Sequence, residues 1–280
     1  MSHKITLVTD LPVWVRPLVR SLEALAVEVE VVTEPTAVIS EGLLVNRVSA
    51  LIRKKSREAT EGFSAMFREL EKKGMTVING AACFDLGCSK LGQADLFERA
   101  GVRTPRTFPA IAGGRAFPGK EALLKPPAGG FGRGIIPLGE DDSAPVELDD
   151  QGDGWIEQEV IESGGQWVHR VEVLGSDVLY EARSPLRAGN FNYCLADPDS
   201  ETVLVSSSEL PTELRDAALR VTRAAGMELG GVEYLVDQDG EPVFIDLNPV
   251  SSLHPGAGNL LGTPPIEMTA AYLTQRALGQ

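Results

Sequence analysis

The fold class predicted by this sequence is α/β, passing into mixed α+β after about residue 85. Three observations carry the prediction. Over residues 1–85, short apolar runs alternate with helical patterns, as in a parallel sheet. Residues 166–175 and 177–183 alternate polar and apolar as a strand pair around Gly175-Ser176. The stretch 230–252, GGVEYLVDQDGEPVFIDLNPVSS, sets two apolar runs on either side of Asp239-Gly240, a two-residue hairpin turn signal.

In the first 85 residues, 4–9 read as a strand, 13–26 as a helix, 27–33 and 43–48 as strands, 60–73 as a helix and 76–79 as a fourth strand. No G-x-G-x-x-G follows the first strand, so this is not an ordinary dinucleotide fingerprint. Asn46-Arg47-Val48-Ser49 sits at a strand's C-terminal end, where α/β sheets bind ligands. A polar strand-to-helix loop is the other reading. Residues 85–100 read as a loop entering a helix, with Ser89 as N-cap and Gly101 closing it. Lys90 then projects from the first turn, against the helix dipole. An exposed lysine explains that, and so does a bound anion.

Residues 122–125 form a short strand ending in Lys125. The next residues include Gly129, Gly130, Phe131, Gly132, Arg133 and Gly134. The glycines let the backbone approach a ligand and aim N–H groups at phosphate oxygens. No G-K-[ST] follows, so this is not a Walker A loop. A flexible surface hairpin is the alternative; Lys125 and Arg133 favour anions. An acidic connector, 139–154, leads to a strand at 155–161, followed by Glu162. In the strand pair, His169 and Arg170 fall on opposite faces, and His169 reads as an exposed or satisfied histidine. A loop at 186–193 carries Arg187, Asn190 and Asn192. A strand at 202–206 and an amphipathic helix at 211–225, closed by Gly226, precede the hairpin. A Pro/Gly-rich loop with His254 and a closing helix at 265–278 follow it.

A two-residue turn at Asp239-Gly240 fixes the hairpin register. Gln238 faces Glu241, Asp237 faces Pro242, and Glu233 lands opposite Asp246, with Asn248 on the same face. Carboxylates about 5 Å apart repel by roughly 3 kcal/mol at an effective dielectric near 20. A divalent hard cation such as Mg²⁺ removes that cost and takes such oxygen ligands. A solvated acidic edge is the other reading.

Composition bounds the function classes. The chain has 280 residues, 43% hydrophobic and 24% charged, which is ordinary for a soluble globular protein. A net charge of −14 argues against non-specific binding to nucleic acid or anionic membranes. No apolar run approaches the roughly 20 residues of a membrane span, and MSHKITLVTD lacks a signal-peptide core. Cys83, Cys88 and Cys194 fit reduced thiols, so a cytoplasmic location is expected. Cys83 and Cys88 lack zinc-site spacing and read as small apolar residues.

Lysine, strand lysine, glycine loop, E-x-E-x-I strand, arginine strand and acidic hairpin ending D-L-N-P occur here in one order. That order resembles the ATP-grasp ligases, and within them the RimK-like carboxylate–amine ligases. The resemblance covers about residues 76–252. It is most specific in CSKLGQADLFERAGVRTPRT, LLKPPAGGFGRGI and GVEYLV…FIDLNP. It implies an ATP-grasp fold: a Rossmann-like pre-ATP-grasp lobe at 1–85, a central or lid subdomain at 86–158 and a C-terminal subdomain at 159–280, two lobes clamping ATP. It implies that Lys90 and Lys125 hold phosphates and that the loop 129–134 closes over them, with Arg133 near the γ-phosphate. Glu159, Val160 and Ile161 correspond to the hinge that pairs with adenine, and Glu162 to the ribose contact. Arg170 corresponds to the arginine steadying the transferred phosphoryl group, and Arg183 to a second family arginine. Glu233, Asp246 and Asn248 match the family's Mg²⁺ ligands. The sequence departs from the pattern at Val168, where an acid is expected. It departs again at Gly189-Asn190-Phe191-Asn192, where relatives show a glycine-acid-aromatic-arginine run.

What the resemblance implies is an ADP-forming ligase using ATP with Mg²⁺, or Mn²⁺ in its place. A carboxylate attacks the γ-phosphate, and an amine displaces phosphate from the acyl phosphate to give an amide. Lysines, arginines and the metal stabilise the developing charge, and a closing loop excludes water. The expected partners are a small-molecule carboxylate and an amino-acid-like amine, without nucleic acid or membrane. Asn46, Arg187, Asn192 and Ser251 are the expected substrate contacts. His254 is either the acceptor of the amine proton or part of a structural His-Pro turn. Assembly is left open, with homodimer and homotetramer among the options. A small-molecule kinase and a nucleotide-binding protein without turnover are the alternatives.

Overall fold

The computed structural model describes residues 4–127, 134–145, 148, 154–163, 167–186 and 201–279. In the N-terminal portion, β1 (Lys4–Val8), β2 (Glu28–Val32), β3 (Leu43–Asn46) and β4 (Val77–Ile78) form a parallel sheet in the order β2-β1-β3-β4. Helix α1 (Pro12–Ala24) starts with proline, which is preorganised for a first helical turn, and buries Val15, Leu18 and Leu22. After the short α2 (Ile52–Lys55), α3 (Arg57–Lys72) starts three residues earlier than the apolar pattern indicates. The cause is Ser56, whose side chain accepts the Ala59 amide as an N-cap. Phe63, Met66, Phe67 and Leu70 are the buried stripe of α3, at helical spacing.

Helix α4 (Ala81–Gly87) replaces the expected loop and buries Ala81, Cys83 and Phe84. Helix α5 (Lys90–Arg99) follows, capped by the Ser89 hydroxyl on the Gly92 amide. A second sheet is antiparallel, in the order β5-β8-β6-β7: β5 (Thr107–Pro109), β6 (Ala122–Lys125), β7 (Ile136–Leu138) and β8 (Ile156–Glu159). The strands β5 and β7 are too short to show a period, which is why the sequence did not reveal them.

The third sheet is antiparallel, in the order β11-β10-β9-β12-β13: β9 (Trp167–Leu174), β10 (Asp177–Pro185), β11 (Val203–Ser206), β12 (Leu229–Val236) and β13 (Pro242–Asn248). Helix α6 (Thr212–Ala225) ends on Gly226, left-handed at φ 64°, as its C-cap requires. Helices α7 (Ala257–Leu261) and α8 (Pro265–Ala277) complete the order. Two cores cover the two faces of the third sheet. One joins Tyr180, Ala182 and Leu229 to Ile5, Leu7, Val45 and Leu273. The other joins Val171, Val232, Tyr234 and Phe244 to α5 and α6 through Leu96, Phe97 and Val221. The first and third sheets therefore share a core, which fixes the end of β3 against the hairpin. No helix among the described residues is long and apolar enough to cross a membrane.

Candidate functional site

Glu233 and Asp246 pair directly across β12 and β13. The route to that pairing differs from the two-residue turn. The Asp237 carboxylate accepts the amides of Asp239 and Glu241 at 3.0 and 2.9 Å, and the Asp237 amide reaches the Glu241 carbonyl at 3.0 Å. The loop is therefore three residues, 238–240, with Gly240 at φ 85°. Val236, not Asp237, faces Pro242, and Gln238 does not face Glu241. Tyr234 pairs with Phe244, and Ile245 is then an extra residue, a bulge that restores Glu233 to Asp246. Two one-residue differences cancel. Gly231 pairs with Asn248, which shares the Glu233 face, and the Asn248 amide donates to Glu233 at 2.9 Å.

Cations converge on this acidic face. Lys90 Nζ lies 2.5 Å from Asp246 Oδ1, so its place in the first turn of α5 serves an ion contact. Arg170 donates Nε to Glu172 at 2.6 Å, Nη1 to Glu233 at 3.1 Å and Nη2 to the Val250 carbonyl at 3.2 Å. Burial works to lower the Arg170 pKa, but Glu172 and Glu233 outweigh it and raise it. Burial and Asp246 push the Glu233 carboxyl above the usual carboxylate range, against Arg170 and Lys90. Lys125 donates to Gln158 Oε1 at 2.6 Å. Burial first, then Lys90, lowers the Lys125 pKa to about 8, with Asp246 and Glu233 opposing. Lys90, Lys125, Glu233 and Asp246 thus lie within electrostatic reach of one another.

These residues fit a hard divalent cation. Two carboxylates and an amide share one face, and Glu233 is raised by burial first and by the facing Asp246 second. Among the described residues no group of three or more His, Cys, Asp and Glu could hold a metal. The protein therefore offers a partial set of oxygens, the pattern expected where phosphates and water complete the shell of Mg²⁺.

Three residues that hold this arrangement were not singled out in the sequence. Gln93, one turn after Lys90, accepts the Leu247 amide at 3.1 Å and donates to the Leu247 carbonyl at 3.3 Å. It thereby satisfies the outer edge of β13 and sets Lys90 beside Asp246. Asn79, at φ 55°, donates to the Leu229 and Pro249 carbonyls at 2.5 and 2.6 Å and accepts the Glu228 amide at 2.9 Å. Gly231 leaves room for Arg170: a Cβ there would stand 2.5 Å from Nε. Leu123 shares the Lys125 face of β6, and Leu235 the Glu233 face of β12, both half-buried. Period-2 counting from Lys125 and Glu233 would have found these two; nothing local marks Gln93 or Asn79.

Several expected contacts are otherwise engaged. The Asn46 amide donates to the Asn79 carbonyl at 3.0 Å and accepts the Val48 amide at 2.9 Å, so its polar atoms serve the fold. Ser251 donates its hydroxyl to Glu172 at 2.6 Å. The Glu159 carboxylate is held by Arg106, and exposed Glu162 accepts Gln238. Val160 and Ile161 lie just beyond β8, Val160 exposed and Ile161 half-buried. Arg183 does not join Arg170. It pairs with His169, on the opposite face, and donates to Glu181 at 2.6 Å. There Glu181 also binds His169 at 3.0 Å and the Tyr234 hydroxyl. His254 Nδ1 accepts the Gly256 amide at 3.1 Å, a contact that serves the His-Pro turn. Gly134 lies in a turn at φ 83°. Gly129, Gly130, Phe131, Gly132, Arg133, Arg187 and Asn192 lie outside the described residues.

Among solved structures, D-alanine–D-alanine ligase from Bacillus anthracis superposes with a TM-score of 0.70 at 14% identity, covering 99% of this chain and 98% of that one. The ATP-grasp ligase PsnB, solved with a minimal precursor, Mg and ADP, gives a TM-score of 0.66 at 17% identity, covering 99% and 98%. The chain has the ATP-grasp fold. Among curated proteins, a "Probable alpha-L-glutamate ligase" from Parasynechococcus marenigrum is 24% identical over 222 residues, 74% of this chain. The chain spans 45% of that relative's length. No protein-family model matches the sequence. Within the ATP-grasp fold, the acidic hairpin and the two lysines come from different sheets and a connecting helix.

Proposed function

We propose that this chain is an ADP-forming, ATP-dependent carboxylate–amine ligase acting through an acyl phosphate. The observation that carries the reading is the meeting of Lys90, Lys125 and Arg170 with Glu233, Asp246 and Asn248 in an ATP-grasp fold. Lys90 and Lys125 hold phosphate oxygens, and Arg170, oriented by Glu172, steadies the transferred phosphoryl group. Glu233, Asp246 and Asn248 would hold Mg²⁺, or Mn²⁺, which when bound supplies charge neutralisation on the phosphates. Leu123 and Leu235 offer apolar sides for the base, with the backbone of 160–161 along its edge. Arg183 takes a structural role in the Glu181 cluster. The lobe division 1–85, 86–158 and 159–280 is supported by the three sheets, which follow these stretches except that Glu159, the last residue of β8, lies one residue past the second boundary.

The likeness to a probable glutamate ligase and to D-alanine–D-alanine ligase supports an amino-acid-like amine and a small carboxylate as substrates. We place the protein in the cytoplasm, as a homodimer or homotetramer to be sized by light scattering. Incubation with ATP, Mg²⁺ and pooled amino acids is expected to release phosphate with ADP. Release of AMP and pyrophosphate would overturn the ligase reading. A stable phosphorylated product without any amine would point to the kinase alternative.

A further inference from the structure

Arg47 is the first residue beyond β3 and is only 8% exposed. Its amide is anchored on the Val8 carbonyl at 2.7 Å, so the side chain leaves the parallel sheet at its C-terminal edge, where such sheets take ligands. A guanidinium offers a fork of N–H donors. Here Nη2 donates to the Ser251 carbonyl at 3.1 Å, while Nε and Nη1 are buried without any partner. Buried charged donors left unpaired are costly, and an apolar side chain of similar size would serve packing better.

Glu172 does not supply the missing partner. It attracts Arg47 at a distance, but its oxygens already accept Arg170, Ser251 and Ser252. Burial, with Arg170 adding to it against Glu172, lowers the Arg47 pKa to about 10, which leaves the side chain charged at neutral pH. Two guanidiniums therefore share one buried carboxylate. Lys90 and Lys125, on other elements, are the phosphate residues of the ligase reading. The unpartnered Nε and Nη1 lie on different edges of the guanidinium, so a planar anion with two acceptor oxygens would pair with one of them and the second hydrogen of Nη2.

We propose that Arg47 binds the carboxylate of the acid substrate, between the end of β3 and the Ser251 segment and on the Arg170 side of the hairpin. The proposal rests on the ligase reading for calling that carboxylate a substrate; its binding at Arg47 stands apart from turnover. Its neighbour Asn46, the expected substrate contact, has its polar atoms engaged within the fold.

The test titrates the full chain, its R47M variant and its R47K variant with acetate, propionate, L-glutamate and inorganic phosphate at constant ionic strength. At least one carboxylate is expected to bind the parent chain. R47M should bind it about tenfold to a hundredfold more weakly, and R47K should also weaken because a lysine lacks the fork. Without ligand, R47M should melt at or above the parent temperature, since it removes an unpaired buried charge. MgADP affinity should be equal in all three. Three results would each overturn the proposal: no carboxylate bound by the parent, equal carboxylate binding by R47M and the parent, or Arg47-dependent binding of phosphate alone. Arg47-dependent carboxylate binding in a protein that never forms ADP would instead retire the ligase reading and leave this one standing.

Discussion

Replacing Asp246 with asparagine separates a metal-binding role from a structural one. The variant keeps shape and removes one charge. It loses the contact with Lys90 at 2.5 Å. It also loses the repulsion from Glu233, which pairs directly opposite. A 2.5 Å contact between Nζ and Oδ1 puts the two charge centres roughly 3.5–4 Å apart, an attraction of about 4–5 kcal/mol at an effective dielectric of 20, and carboxylates about 5 Å apart repel by about 3 kcal/mol. The two changes largely cancel, so the net stability change is about 1–2 kcal/mol, which shifts the melting temperature by roughly 2–8 °C for a chain of this size. Function should not cancel. Losing an outer partner of a metal ligand costs roughly tenfold to a hundredfold, so losing a ligand should cost about a hundredfold or more in turnover. The assay is ADP release at saturating MgATP beside a melting curve without ligand. Turnover within tenfold of the parent would refute the metal assignment. A melting temperature lower by more than about 10 °C would refute the charge balance.

Lys125→Met should weaken ATP binding while leaving the unliganded fold intact, as calorimetry of ADP binding will show. Because the folded Lys125 pKa is lowered from 10.5 to about 8, the unfolded chain holds more protons between those values. Stability from this group should therefore rise with pH across about 8 to 10.5, while nucleotide affinity falls as the cation is lost, and Lys125→Met should abolish both slopes. Gly231→Ala places a Cβ 2.5 Å from Arg170 Nε and should displace the guanidinium, lowering kcat at least about tenfold for a stability cost of about 1–3 kcal/mol. An unchanged kcat would separate Arg170 from the chemistry. Glu172→Gln removes the buried partner of Arg170 and should cost about 3–5 kcal/mol in denaturant unfolding; a loss below about 1 kcal/mol would show that the arginines do not depend on it.

The sequence carried the site's parts better than their arrangement. A first helical turn marks Lys90, a strand end marks Lys125, and offsets from a turn mark Glu233, Asp246 and Asn248, while their expected roles come from the family resemblance. The hairpin pairing was reached through a turn one residue too short and a bulge that local periodicity does not reveal. That Arg183 and Arg170 lie on opposite faces is not legible in the sequence, because residues thirteen apart on neighbouring strands share a face only in some registers. Here Arg170 pairs with Ala182 and not with Arg183. Asn46 drew notice as the polar residue at a strand end, yet burial reversed the roles: its amide closes on the fold, and Arg47 is left with donors to spare. Gln93 and Asn79 act across more than 140 residues of chain, a link no local pattern contains.

The charges in the cleft neutralise one another pairwise: Lys90 with Asp246, and Arg170 with Glu172 and Glu233. If these residues hold phosphate and metal as proposed, a nucleotide arriving alone would take Lys90 from Asp246 and leave two facing carboxylates less compensated, and a divalent cation arriving alone would displace the same lysine. Each therefore lowers the cost of binding the other, and the two should bind with positive coupling. Coupling of this kind typically lies between about 1 and 3 kcal/mol, or roughly 5- to 150-fold in affinity. ADP affinity measured with and without Mg²⁺ reads it, although Mg²⁺ also binds ADP in solution. The Asp246→Asn variant isolates the protein's share, because its Lys90 is already free and one carboxylate is gone. The ratio of ADP affinities with and without Mg²⁺ should shrink toward the solution value in that variant. An unchanged ratio would mean that Lys90 and Asp246 do not exchange partners, and that the pair is a structural contact rather than the resting state of a phosphate site.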